Sequence, residues 1–100
     1  MTTRVRLMNE YTIDWPLWVD GPAGEGDLPV SERLAGDLKA WARTFNNHYD
    51  FQHGWDDSRL IEPYTREGQR LQHALQVELG PGYDVALDLW EVPGAGQSRV

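Results

Sequence analysis

The sequence predicts an α+β domain in which a pair of helices covers one face of a small sheet. Three observations predict it: apolar residues alternate near both ends of the chain, two apolar stripes of helical spacing lie between them, and a Gly-Pro-Gly run follows the second stripe. The expected order is strand, long loop, helix, helix, strand (β-α-α-β). One hundred residues suit one core, so we expect a single domain over residues 1–93 and a flexible tail over 94–100.

The terminal strands are predicted at residues 4–10 and 83–92, where apolar and polar side chains alternate. Each strand places charged side chains on the face opposite its apolar ones, and opposite charges on neighbouring strands attract. We therefore expect the two strands to pair in a small antiparallel sheet of two or three strands, although the long first loop could reverse their direction. The charged residues concerned are Arg4, Arg6, Asp84 and Asp88.

Both helices are predicted from apolar residues that recur every three or four positions. The first is expected to begin after Ser31, a favourable N-cap residue, and its pattern fades near His48. The second is expected to carry Pro63 in its first turn and to stop at Gly80. Gly68 lies within the second stripe, where close approach of the first helix would explain it.

Residues 11–30 form a long irregular segment rich in proline and glycine. Its apolar part is expected to be anchored on the body, either as an edge strand or as part of a lid. Tryptophan is enriched in binding hot spots, so Trp15, Leu17 and Trp18 are the predicted protein-binding residues. The alternative, weighted equally for the two tryptophans, is that they seal the core beneath the loop.

A two-stranded sheet is marginally stable alone, so either the apolar loop segment or a second chain should complete it. Met8 and Trp90 are predicted to lie on the sheet face that the helices leave uncovered. That placement would suit edge-to-edge pairing of two chains, and a homodimer is therefore a further hypothesis.

The composition excludes several classes of function. Sixteen acidic residues against nine basic ones give a net charge of −7, which disfavours binding to nucleic acid or to an anionic membrane and suits a protein partner with a basic surface. There is no cysteine, so a disulfide framework and a thiolate metal site are excluded. No apolar run is long enough to span a bilayer and no signal peptide is recognised, so we expect a cytoplasmic location.

Four residues near the middle of the chain are weak candidates for a metal site: His48, His53, Asp56 and Asp57. The two histidines are five positions apart, which would place them on different faces of a helix, and Asp and His are also common at turns and helix ends. No catalytic arrangement of residues is recognised elsewhere. The sequence therefore predicts neither an enzyme nor a cofactor.

Four short runs of the sequence are Arg-Leu-Met-Asn-Glu-Tyr, Pro-Leu-Trp, Leu-Pro-Val-Ser and Glu-Leu-Gly-Pro-Gly. In these runs the chain resembles a family of small uncharacterised bacterial proteins for which no activity is established. This resemblance implies a free-standing, single-domain cytoplasmic protein and no catalytic residues.

Two functional hypotheses follow. The first is a protein-interaction module, such as an immunity or antitoxin-like inhibitor of a basic enzyme, since the chain is acidic and rich in tryptophan. The alternative is a small-ligand or metal-binding domain with a pocket between the long loop and the helical hairpin.

Overall fold

Two helices cover one face of a three-stranded sheet in the computed structural model, which describes residues 2–93. The predicted α+β class, with a helical pair on a small sheet, is confirmed. The predicted tail, 94–100, lies outside the described residues. In chain order the elements are β1 (Thr3–Leu7), β2 (Leu17–Trp18), α1 (Glu32–His48), β3 (Tyr49–Asp50), β4 (Gly54–Trp55), a 3₁₀ turn (Ser58–Leu60), α2 (Ile61–Leu79) and β5 (Tyr83–Leu87).

The terminal strands are neighbours, as predicted, but they run parallel. The sheet order is β2-β1-β5, with β1 antiparallel to β2 and parallel to β5. The expectation of an antiparallel pair was wrong because the long loop contributes β2, which returns the chain to the end of the sheet where β1 begins. The charge pairing was correct at one position, since Arg4 lies opposite Asp84 with 3.5 Å between Nη2 and Oδ2.

The core lies between the sheet and the two helices. Val5 and Leu7 are fully buried, which confirms the alternation predicted for β1. A Cβ atom added at Gly68 would lie 2.8 Å from the Trp41 ring, so this glycine permits the close approach of α1 and α2. Other core residues, from all the main elements, are Leu17, Leu38, Phe45, Tyr64, Leu71, Leu75 and Val85.

The helix ends follow the sequence. The Ser31 hydroxyl accepts a hydrogen bond from Leu34 N at 3.2 Å, which confirms it as the N-cap of α1. Glu78, near the end of α2, accepts hydrogen bonds from the backbone N and the hydroxyl of Ser31. Gly80 ends α2 with a φ of 84°, a conformation that favours glycine. The start of α1 is thus tied to the end of α2, which fixes the two helices as antiparallel neighbours.

The outer edge of β5 is covered by two glutamines of α2. Gln76 accepts a hydrogen bond from Val85 N at 3.0 Å and donates one to Tyr83 O at 2.7 Å, while Gln72 donates to Val85 O at 3.0 Å. A second chain could pair with this edge only by displacing these bonds. The homodimer stays a prediction, but β5 is a poor edge for it.

The last predicted strand is shorter than expected. β5 ends at Leu87 rather than at position 92, and Trp90 packs against Phe45 of α1, with ring centroids 5.7 Å apart. The placement of Trp90 on the uncovered sheet face was therefore wrong, because β5 ends three residues before Trp90 and the chain then turns towards the helices. In the part of the chain that the structure describes, no helix has the length and apolar character needed to cross a membrane.

Candidate functional site

Three aromatic side chains from distant segments meet at one end of the molecule. Tyr11 follows β1, Phe51 lies at the tip of the β3–β4 hairpin, and Trp90 follows β5. The ring centroid of Tyr11 lies 5.8 Å from that of Trp90 and 6.3 Å from that of Phe51. Their exposed fractions are 37% for Tyr11, 72% for Phe51 and 38% for Trp90. We call these three residues the aromatic patch.

The aromatic patch rests on a packed aromatic base. The buried ring of Phe45 stacks on Tyr49 at 5.3 Å, and Tyr11 and Trp90 each contact both of these rings, with centroids 5.6 to 6.2 Å apart. Because Phe45 belongs to α1 and is fully buried, the base is part of the core. The exposed rings are thus held in place before any partner arrives, which lowers the entropic cost of binding.

The tip of the hairpin is built to present Phe51. Asp50 Oδ2 accepts hydrogen bonds from the backbone N atoms of Gln52 and His53, both at 3.0 Å, and lies 2.8 Å from His53 Nδ1. The hydrogen bond with the His53 side chain, followed by those with the two backbone N–H groups, lowers the pKa of Asp50. Gly54 closes the turn with a φ of 74°. These hydrogen bonds to Asp50 hold the backbone of the turn in one conformation, and the Phe51 ring stays in solvent.

Hydrogen bonds also fix the two other members of the patch. The Trp90 indole donates to Asn9 O at 2.9 Å. Beside Tyr11, the Asn46 side chain of α1 accepts from Thr12 N and donates to Ile13 O, both at 3.0 Å. The loop after β1 is therefore anchored on α1 at this point.

Carboxylates border the aromatic patch. Burial raises the pKa of the Tyr11 hydroxyl, with further contributions from Tyr49 and from the negative charges of Glu10 and Asp50. Within residues 2–93, no lysine or arginine forms an ion pair with Glu10 or Asp50. The patch thus combines exposed rings with two carboxylates that no lysine or arginine of the described residues neutralises.

A buried polar cluster lies beneath Trp90. Asn9 Nδ2 donates to the Tyr64 hydroxyl at 2.6 Å, and that hydroxyl donates to Glu91 Oε2. The Trp55 indole donates to Glu91 O at 3.1 Å. Burial raises the pKa of Glu91 to about 7 and that of Tyr64 above its ordinary value. This cluster ties the segment after β5 to α2, to β4 and to the loop after β1.

The residues predicted to bind a protein lie elsewhere. Trp15 and Leu17 belong to the core, and Trp18 is half-buried, with its indole donating to Met8 O at 2.9 Å. The segment forms β2, which is the edge strand proposed for it rather than a lid. A partner contact through these residues stays a prediction, but packing within the molecule already uses the side chains of Trp15 and Leu17.

The candidate metal residues fall into separate pairs. His48 Nδ1 lies 3.1 Å from Asp56, and Asp57 accepts hydrogen bonds from Arg59. His53 is paired with Asp50 of the hairpin tip. Asp57 also caps the 3₁₀ turn, and His53 lies in the turn of the hairpin. The alternative interpretation, that such residues serve as helix caps and turn residues, therefore explains these two. Among residues 2–93, no group of three or more histidines and carboxylates is placed to hold a metal ion.

A cleft of about 360 Å³ lies between the long loop and α1, near the position predicted for a ligand pocket. Glu25 and Lys39, which form an ion pair at 3.0 Å, are among the residues that line it. Its lining includes Trp15, Leu28 and Val30 but none of the four metal candidates. The cleft and the predicted polar ligands are therefore in different places.

Phe51 and Tyr11 were missed as site residues. The sequence did carry one indication of Phe51: an aromatic residue within the polar turn Asp-Phe-Gln-His-Gly has no apolar neighbour along the chain. Tyr11 offered no comparable indication, because its partners come from segments far away in sequence.

A family model described as Serratia CdiI immunity protein-like matches residues 3–88. No curated protein matches the chain in sequence. The match covers the five strands and two helices found in the described part of the chain, together with Tyr11 and Phe51 of the aromatic patch. The match gives a description to the small bacterial family that the sequence resembles. An immunity protein family supports the prediction that the chain binds another protein as an inhibitor. The chain belongs to the Serratia CdiI immunity protein-like family.

Proposed function

We propose that this chain is an immunity protein that neutralises a toxin by binding it through the aromatic patch. The observation that carries the proposal is the presence of three exposed rings on a buried aromatic base, since exposed apolar clusters of this kind mark interaction sites. The family supports an inhibitory role rather than an enzymatic one. The chain has no cysteine, which fits a reducing compartment, and we place its action in the cytoplasm.

The patch has the properties of a binding hot spot. Tyrosine and tryptophan bury a large area with few rotatable bonds, and central aromatic residues often contribute about 2 kcal/mol or more each to the free energy of binding. Phe51 is the most exposed of the three and has the most surface to bury. We therefore expect Phe51 to be the largest single contributor.

The partner surface is proposed to be basic. The chain carries a net charge of −7, and Glu10 and Asp50 border the patch without lysine or arginine partners in the described part of the chain. Opposite charge accelerates association and orients the encounter, and lysine or arginine side chains also bind the faces of aromatic rings. A toxin that presents arginine or lysine next to an apolar pocket would match both features.

The test begins with affinity purification of the tagged chain from its host. A partner that arrests growth when expressed alone, and fails to do so when expressed with the wild-type chain, is the toxin. Its dissociation constant is then measured for the wild type, for Phe51→Ala and for Val77→Ala. Val77 is the matched control, because it is an apolar residue 68% exposed on α2 and outside the patch.

We expect Phe51→Ala to weaken binding by roughly thirtyfold and to reduce protection from growth arrest. Val77→Ala should bind as the wild type does. Equal affinity of the wild type and Phe51→Ala would contradict the patch as the binding surface. Failure of the captured protein to arrest growth would contradict the immunity role itself.

A further inference from the structure

The buried cluster beneath Trp90 lacks a hydrogen-bond donor. Glu91 Oε2 and Asn9 Nδ2 both bind the Tyr64 hydroxyl, yet the remaining polar atom of each side chain, Glu91 Oε1 and Asn9 Oδ1, is buried without a partner. Glu91 is 3% exposed and Asn9 is fully buried. Both orphan atoms are acceptors, so neither can satisfy the other while the carboxyl is ionised. A proton on Glu91 Oε1 would turn one of these two acceptors into a donor and remove the negative charge from the buried carboxyl.

Within residues 2–93, no lysine, arginine or histidine forms an ion pair with Glu91. Tyr64 of α2 and Trp55 of β4 donate hydrogen bonds to Glu91. Asn9, in the loop after β1, binds the same Tyr64 hydroxyl, and none of the three residues is a cation. The nearby charges that act on Glu91 are Asp88 and Glu10, and both are negative. A buried carboxylate without a cation is costly, and in such surroundings the group takes up a proton instead.

We propose that Glu91 is protonated in the folded protein and that loss of this proton releases Trp90 from the aromatic patch. An ionised Glu91 must reach water, and it lies next to Trp90 in the chain. Its movement would break the bond from the Tyr64 hydroxyl and the bond from the Trp55 indole to its backbone oxygen. The segment that carries Trp90 would then lose these two anchors, and the Trp90 ring would no longer be held against Phe45.

The proposal depends on the function proposed above in one respect: it takes the aromatic patch to be the surface that binds the partner. Burial, then the charges of Asp88 and Glu10, raises the pKa of Glu91 to about 7, against 4.5 for an ordinary glutamate. The switch would therefore operate near neutral pH. Partner binding would be favoured on the acid side and weakened on the alkaline side.

The sign of the stability effect follows from the raised pKa. Between the unfolded value of 4.5 and the folded value of about 7, the folded chain holds one proton more than the unfolded chain. The contribution of Glu91 to the free energy of unfolding is therefore present in full below the lower pKa value. It falls as pH rises and levels off above the upper pKa value. Between about pH 5 and about pH 8.5, the folding equilibrium constant should fall roughly a hundredfold on account of Glu91.

The experiment uses the isolated chain and needs no partner. Carbon-13 NMR of the labelled wild-type protein follows the Glu91 carboxyl from about pH 4 to about pH 9, and nitrogen-15 spectra follow the Trp90 indole. Urea unfolding across the same range is compared for the wild type, Glu91→Gln and Glu10→Gln. The amide of Glu91→Gln cannot ionise and keeps the size of the side chain, while Glu10→Gln removes a neighbouring charge and serves as the control.

We expect the Glu91 carboxyl and the Trp90 indole to titrate together with a midpoint near 7 in the wild type. Glu91→Gln should remove this transition from the indole and lose the hundredfold fall in stability. Glu10→Gln should keep both, with the midpoint moved to a lower pH because one of the charges that raise the pKa of Glu91 is gone. A Glu91 carboxyl that titrates near 4.5, or an indole transition that survives in Glu91→Gln, would overturn the proposal. Because the partner is absent from these measurements, an unchanged affinity of Phe51→Ala would count against the proposed function alone.

Discussion

Two aromatic-rich regions of the molecule use their rings in opposite ways. The segment of Trp15–Trp18 adds β2 to the sheet and buries Trp15 and Leu17 in the core. The aromatic patch combines loop and hairpin-tip residues that no strand pairing covers, and Phe51 there is 72% exposed. Aromatic content alone therefore does not identify a binding surface. Whether aromatic rings are available to a partner depends on the segment that carries them: a segment paired in the sheet buries its rings, and a segment that projects beyond the sheet exposes them.

The largest expected effect is a loss of stability when Leu17 of the buried region is changed. Leu17 is fully buried, so Leu17→Ala should lower the free energy of unfolding by about 2 to 5 kcal/mol through lost burial and a cavity. Phe51→Ala should change it by no more than about 0.5 kcal/mol, because the ring lies in solvent. Urea unfolding of the two variants measures both values. Equal destabilisation would show that the contrast between the two regions is wrong.

The local parts of the fold could be predicted from the sequence because short-range rules determine them. The Ser31 cap, the stop at Gly80 and the buried face with Val5 and Leu7 depend on neighbouring residues alone. The direction of β5 relative to β1 depended on whether the long loop forms a strand. That outcome is set by tertiary packing, and the two residues of β2 leave almost no periodic pattern to recognise.

The candidate site was harder to predict because it is assembled across the chain. Tyr11 and Trp90 are far apart in sequence and meet through the parallel pairing of β1 with β5, which the sequence did not predict. The hairpin that presents Phe51 has strands of two residues each. The excess of tryptophan directed attention instead to Trp15 and Trp18, which are the more conspicuous residues in the printed sequence.

A smaller effect is expected within the patch at Tyr11. Its ring is partly exposed and contacts Phe45, Tyr49, Phe51 and Trp90, so Tyr11→Ala removes both partner contact and support for the neighbouring rings. We expect roughly a tenfold loss of affinity for the toxin. Calorimetric titration measures it, with Trp18→Phe, a conservative change in β2, as the control. A greater loss of affinity in the control would move the interface to the sheet.

The smallest effect concerns the charged border of the patch. Glu10→Gln should slow association with a basic partner by a few-fold at low salt and leave the dissociation rate nearly unchanged. The difference from the wild type should shrink as salt is added, because exposed charges are screened. Stopped-flow mixing at two salt concentrations measures both trends. A faster association of the variant would indicate an acidic partner surface.

The most direct measurement is hydrogen exchange of the chain alone and in complex with its toxin. Binding through the aromatic patch predicts new protection in residues 8–14, 49–55 and 88–93, with 15–19 unchanged. Protection confined to 15–19 would contradict the account and assign the interface to β2 and its flanking residues.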